Sequence, residues 1–133
     1  MTKAAQDYWS RALKALEVAQ GLLLKDADSC ASRSYYAAFY AVTALFLLED
    51  KSFSKHSGVK SAIHRDLVKP GHWPAHLGSA YDFLMELRNL GDYGGPKHVS
   101  QEDAEDALTA ARSILDAVRQ THPDLFTGLQ PPL

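Results

Sequence analysis

The chain has 133 residues and 14.6 kDa, the size of one ordinary domain. Apolar residues make up 46% and charged residues 23%, which excludes a disordered or low-complexity chain, and a net charge of −2 predicts no polyanion partner from total charge alone. A single cysteine, Cys30, excludes an internal disulfide and cannot by itself hold a structural zinc; with a charge-punctuated start that lacks a signal peptide's apolar run, it predicts a soluble protein of the cytoplasm with no membrane association.

Apolar spacing is helical along almost the whole chain. Tyr8, Trp9, Ala12, Leu13, Leu16, Ala19 and Leu23 recur at steps of three and four, predicting an amphipathic helix over about 3–24. The turn KDADS follows, in which Asp28 or Ser29 can cap the next helix. From Ser34 to Leu48 the run SYYAAFYAVTALFLL carries no charge. It is shorter than the roughly 20 residues a membrane-spanning helix needs, so a helix apolar all round must be buried on several sides. That makes it the core helix and the candidate dimer surface, with Ala37, Ala38, Ala41 and Ala44 allowing close approach.

EDKSFSKHSGV reads as a polar loop. A shorter helix with Val59, Ile63, Leu67 and Val68 on one face follows, stopped by KPGHWP. A fourth runs from about Ala75 to Asp92 and ends at Gly91, Gly94, Gly95 and Pro96. Ser100 begins the last helix, with Asp103 placed as in a capping box, and Ala104, Ala107, Leu108, Ala111, Leu115 and Val118 form its apolar stripe. The fold class is therefore all-α, an up-and-down bundle of about five helices. The bundle occupies residues 1–122, and residues 123–133 form a C-terminal tail.

Charge is uneven along the chain. Between Lys51 and His76 lie five basic residues (Lys51, Lys55, Lys60, Arg65, Lys69), one acid (Asp66) and four of the six histidines. This excess suits a phosphate-bearing partner; the plain alternative is a solvated surface. His72 and His76 stand four apart, but Pro74 lies between them and no nearby carboxylate completes a ligand set, so no metal is predicted.

The segment Arg88-Asn89-Leu90-Gly91-Asp92-Tyr93-Gly94-Gly95 gathers a guanidinium, an amide, an acid and a phenol at one helix end. Arg88 and Asp92 can simply pair along the helix. Alternatively, Arg88 presents its planar fork to a phosphate, a task it performs better than an ammonium. Arg33 can reach the same place or snorkel to the surface. Tyr35 and Tyr36 sit about 100° apart on their helix, so that one can pack in the core while the other lines the site. Lys55 and His56 form a basic lip or are ordinary loop residues.

In their order and spacing, SRSYYAAFYAVTALF, SKHSGV and LRNLGDYG resemble the HEPN domain family. More narrowly they resemble its small stand-alone prokaryotic branch, over roughly residues 5–120. The resemblance implies an up-and-down helical bundle, frequent dimerisation, and either nucleotide binding or RNA cleavage; no cofactor is expected. It also implies a minimal nucleotidyltransferase as partner in a toxin–antitoxin-like module. Nuclease members of the family resemble one another in an arginine followed, after four to six residues, by a histidine. Arg88 matches the arginine and Asn89 the amide often found after it, but the histidine window holds Tyr93, Gly94 and Gly95.

That departure bears on chemistry. A base for a 2′-hydroxyl needs an imidazole-like pKa, whereas a phenol near pH 10 stays protonated; Tyr93 can donate a hydrogen bond or stack on a base. The sequence thus supports nucleotide or RNA phosphate binding through Arg33, Tyr36, Lys55, Arg88, Asn89 and Asp92. Two alternatives stay open. One is a metal-independent ribonuclease using Arg88 and Tyr93, with His56 as the first base to test. The other is a purely structural dimerisation module.

Overall fold

The computed structural model describes residues 2–131, and within them five α-helices account for nearly all regular structure. They are α1 (Thr2–Leu22), α2 (Ala27–Leu48), α3 (His56–Ala62, running on into a π-helical turn at Ile63–Val68), α4 (Ala75–Tyr93) and α5 (Gln101–Thr121). No strand is present among the described residues. The expected all-α bundle is what the chain forms, and none of its described helices is long and apolar enough to cross a membrane.

α2 is the centre of the bundle. It packs against α1, α4, α5 and α3, and residues from Cys30 to Phe46 are buried on most of its circumference. Ala37, Ala38, Ala41 and Ala44 are fully buried, so their small side chains let helices of the same chain approach closely. The uncharged run is thus largely accounted for within one copy. A second copy could meet the half-buried residues Arg33, Tyr36, Phe39, Tyr40, Thr43, Leu47 and Leu48. Each large buried side chain of α2, such as Phe46, contributes about 1.5–3 kcal/mol through removal from water.

Several boundaries differ from the sequence reading. The cap of α2 is Asp26, whose carboxylate accepts from Ser29 N at 3.0 Å and from Ser29 Oγ at 2.7 Å; Asp28 and Ser29 lie inside the helix. Asp28 is occupied elsewhere, accepting from Val99 N at 2.7 Å and pairing with His98 Nδ1 at 2.6 Å. Arg33, just before the uncharged run, lies within α2. The expected loop through Val59 is cut short because α3 starts at His56, and Phe53 closes over Gly58 with 3.3 Å of room where a Cβ would stand. Ser100 caps α5 as predicted, accepting from Asp103 N at 3.0 Å.

The segment after α5 adds to the core. Phe126 is fully buried against Trp9, with ring centroids 5.1 Å apart, and Trp9 Nε1 donates to Thr127 O at 2.7 Å. At the C-terminal end of α4, Gly91 is required by close approach: a Cβ there would stand 2.8 Å from the Asp28 carbonyl oxygen. This contact and the Asp28 clamp on Val99 hold the end of α4 and its following loop against the start of α2.

Candidate anion site between α2 and the end of α4

Three elements build the site. α2 supplies Arg33, Tyr36 and Phe39 at steps of three, with Tyr35 one position round. The last two turns of α4 supply Arg88, Asn89, Asp92 and Tyr93. The first residue of α3 supplies His56. Helical spacing explains why residues 33, 36 and 39 share a face, but only the packing of α4 and α3 onto α2 brings the rest to them.

Arg88 is at the centre. Its side chain is 17% exposed, Nη2 donates to the Tyr36 hydroxyl at 3.0 Å, and Nη1 donates to Asn89 Oδ1 at 3.2 Å. Nε lies 3.3 Å from Asp92 Oδ2, close enough for attraction between charges, yet it makes no hydrogen bond. The guanidinium carbon lies 5.7, 5.6 and 5.4 Å from the ring centroids of Tyr35, Tyr36 and Tyr93. Burial works against its charge, but the Tyr36 hydroxyl, Tyr93 and Asp92 outweigh burial and raise its basicity. Arg33 stacks on the Tyr36 ring, 4.7 Å from its centroid. Of the five N–H donors a guanidinium carries, two are engaged by side chains here. The pairing of Arg88 with Asp92 and its availability to an anion are therefore compatible.

His56 joins this cluster by two contacts. Its ring stacks on Phe39 with centroids 4.3 Å apart and planes 5° from parallel, and Nδ1 lies 2.6 Å from the Tyr35 hydroxyl. Burial lowers its pKa below the ordinary imidazole value, and the nearby Arg88 charge lowers it further, which favours the neutral ring. Behind it, Tyr35 and Tyr81 are fully buried and joined by a longer hydroxyl contact of 3.4 Å; burial raises both phenol pKa values.

All the singled-out residues except Lys55 meet around Arg88 or His56. Lys55 is the exposed residue before α3, adjacent to His56 in sequence, with no ion pair among the described residues. Tyr93 is 72% exposed, so its ring remains accessible beside the guanidinium. Tyr35 and Tyr36 divide by burial as expected, but both hydroxyls enter the cluster: Tyr35 through His56 and Tyr36 through Arg88. Phe39 and Tyr81 escaped the sequence reading, since an aromatic at an apolar helical step looks like core until its neighbours are known.

The basic excess after α2 does not form an open cationic face. Arg65 and Lys51 both reach Asp66, at 2.8 and 3.4 Å, while Lys60 and His64 approach Asp82 at 3.9 and 3.0 Å. The hydrogen bonds from Arg65, with Lys51 in support, hold the Asp66 carboxyl at about 2. A groove of about 840 Å³ lies further along α2, lined in part by His72, His76 and His122, and includes no residue of the Arg88 cluster. Among the described residues, no group of three or more histidine, cysteine or carboxylate side chains is placed to hold a metal ion.

The comparison that decides the family is a match of residues 5–121 to the model of the HEPN domain. The chain belongs to the HEPN domain family. This HEPN domain is 42% identical over 122 residues to a UPF0332 protein of Thermotoga maritima, covering 90% of the chain and 92% of that relative. It is 28% identical over 111 residues to "Putative toxin MJ0142" of Methanocaldococcus jannaschii, covering 83% and 76% respectively. In three dimensions it resembles the crystal structure of TT1696 from Thermus thermophilus, with a TM-score of 0.76, 26% identity and coverage of 90% and 98%. These relatives place it in the small prokaryotic branch of the family.

Proposed function

We propose that this HEPN domain binds the phosphate of a nucleotide or RNA at Arg88, in a toxin–antitoxin-like module with a minimal nucleotidyltransferase partner. The observation that carries the reading is the Arg88 guanidinium: mostly buried, framed by three tyrosine rings, and left with unspent donors. Arg88 takes the phosphate bidentately, Asn89 and Asp92 orient its fork, and the Tyr36 hydroxyl braces it. Arg33 and Lys55 add positive charge at the margin, while the exposed Tyr93 ring offers a face for a base. Family membership and a relative that bears the name of a toxin support the module assignment. Dimerisation would use the half-buried outer stripe of α2.

Titration of the purified protein with ATP and with a short single-stranded RNA tests the reading. Binding by either should weaken with added salt and be lost in Arg88→Ala. If Arg88→Ala lowers stability and leaves both affinities unchanged, the domain is a structural module. Co-expression with a minimal nucleotidyltransferase from a neighbouring reading frame should yield a stable complex. Sedimentation at micromolar concentration should give twice the 14.6 kDa chain mass, and a particle of the single-chain mass removes the dimer.

A second reading, a metal-independent ribonuclease, is favoured by the neutral His56 beside Arg88. RNA cleavage that persists in chelator and disappears in both Arg88→Ala and His56→Ala would establish it.

A further inference from the structure

We propose that Tyr81 and Tyr35 are positioning residues that hold His56 as its Nε2–H tautomer, so that the imidazole offers a donor, not a base, beside the Arg88 guanidinium. The proposal deepens the phosphate-binding reading and rests on it only for the identity of what receives the hydrogen bond.

The argument is an inventory of hydrogens. Tyr81 OH, Tyr35 OH and His56 Nδ1 follow one another at 3.4 and 2.6 Å, and both tyrosines are fully buried. Among the described residues, Tyr81 OH has no hydrogen-bond partner other than the Tyr35 oxygen. If the chain runs from Tyr81 to Tyr35 to Nδ1, every hydroxyl hydrogen is donated and the Nδ1 lone pair is filled. If it runs in the opposite sense, from Nδ1–H to Tyr35 to Tyr81, the hydrogen of Tyr81 is left stranded in the core. A buried, unmet donor is the costlier arrangement, so the first direction prevails. Burial keeps both phenols protonated, and burial with the Arg88 charge keeps the imidazole neutral. The neutral ring then carries its one hydrogen on Nε2.

Stacking fixes where that hydrogen points. The Phe39 ring, 5° from parallel, holds the imidazole plane, and Nδ1 is engaged by the buried Tyr35. The geometry of a five-membered ring directs Nε2 away from Tyr35. A phosphate held by Arg88 can then receive a second hydrogen bond from Nε2–H. For His56 to act as a base at Nε2, its proton would have to leave that nitrogen and the relay would have to reverse.

Long-range proton–nitrogen spectra of the whole protein with labelled histidine test this at pH 7.5, with His56→Gln assigning the signal. The expected pattern is a pyrrole-type Nε2 and a pyridine-type Nδ1. Tyr35→Phe should shift His56 toward a mixture of tautomers, and Tyr81→Phe should do so less; both retain their rings, and the same spectra report whether the fold is intact. Tyr35→Phe should also weaken ATP binding by about threefold to tenfold, the worth of one neutral hydrogen bond. A pyrrole-type Nδ1 in the unaltered protein overturns the proposal. So does an unchanged His56 pattern in folded Tyr35→Phe, even if ATP binding weakens. Should Arg88→Ala leave ATP and RNA affinity untouched while the tautomer is as expected, the binding reading falls and the relay stands.

Discussion

Two polar regions lie on either side of the turn between α2 and α3, and they are built on opposite plans. The Lys51–Asp66–Arg65 group, with Lys60 and His64 on Asp82, is rich in polar and charged side chains, and each of its lysines and its arginine lies near a carboxylate. The Arg88 cluster has a single central cation, yet surrounds it with aromatic faces and an imidazole, and side chains engage only one N–H of each of its two terminal nitrogens. Exposed ion pairs contribute little and satisfy one another. A mostly buried guanidinium with open donors is the arrangement that can gain from a ligand. Density of charge along a sequence is therefore a poorer guide to a site than incomplete pairing in space.

Exchanging one residue from each region gives the sharpest contrast. Arg88→Ala should weaken ATP or RNA binding about 30-fold or more, the loss of charge-assisted hydrogen bonds worth about 2 kcal/mol. Lys51→Ala should change it by less than about twofold, because its charge is already committed to Asp66 and Glu49. Fluorescence titrations on both variants suffice, and equal losses would erase the distinction drawn here.

The frame that carries Arg88 can be broken separately. Gly91→Ala would push a Cβ to within 2.8 Å of the Asp28 carbonyl, backbone against side chain, with no flexible end to yield. The expected cost is about 1–3 kcal/mol of overpacking, partly offset by the roughly 1 kcal/mol that alanine gains over glycine in a helix. Chemical denaturation should show a lower midpoint, and an unchanged one would mean that the end of α4 is not held by Asp28.

Acid should weaken the fold through His56. Its folded pKa lies below the ordinary value of 6.5, so the unfolded chain binds the proton more readily. Stability from the neutral ring is complete above about 6.5 and is lost as pH falls from there through the lowered folded value. Urea midpoints measured between pH 7.5 and about 5 should decline, and His56→Gln should flatten that limb. The paired Asp66, held at about 2, contributes nothing to the slope in this window. The smallest effect belongs to Tyr93: Tyr93→Phe should keep ATP binding within about twofold if the ring, not the hydroxyl, meets the ligand. A larger loss would assign the hydroxyl a hydrogen bond to phosphate.

Much of the fold was legible because helical periodicity is a local property. Trp9, Leu16 and Ala19 predict their own face of α1, and Ser100 with Asp103 predicts the start of α5. Local reading failed where one residue had two possible partners. Asp28 looks like a cap, but Asp26 takes that role because Asp28 reaches Val99 and His98, some 70 positions away. Gly58 reads as a loop residue until Phe53 is seen to cover it. Arg88, Asn89, Asp92 and Tyr93 were visible as a group because one helix end carries them. His56 was visible only as half of a basic lip with Lys55, and Tyr81 and Phe39 were not visible as site residues at all, since their importance is a matter of contact.

What the amino-acid sequence alone determines here is the set of helices, the central place of the uncharged one, and membership of the HEPN family. Periodicity, capping and motif spacing act within one or a few turns, so they survive without knowledge of the fold. Tertiary structure decided the rest: that Arg88 meets Tyr36, that His56 stacks on Phe39 and turns Nδ1 to a buried hydroxyl, and that the basic stretch is largely paired. Hydrogen bonds and burial depend on distances of a few ångströms between segments far apart in the chain, and those distances exist only once α3 and α4 have packed onto α2.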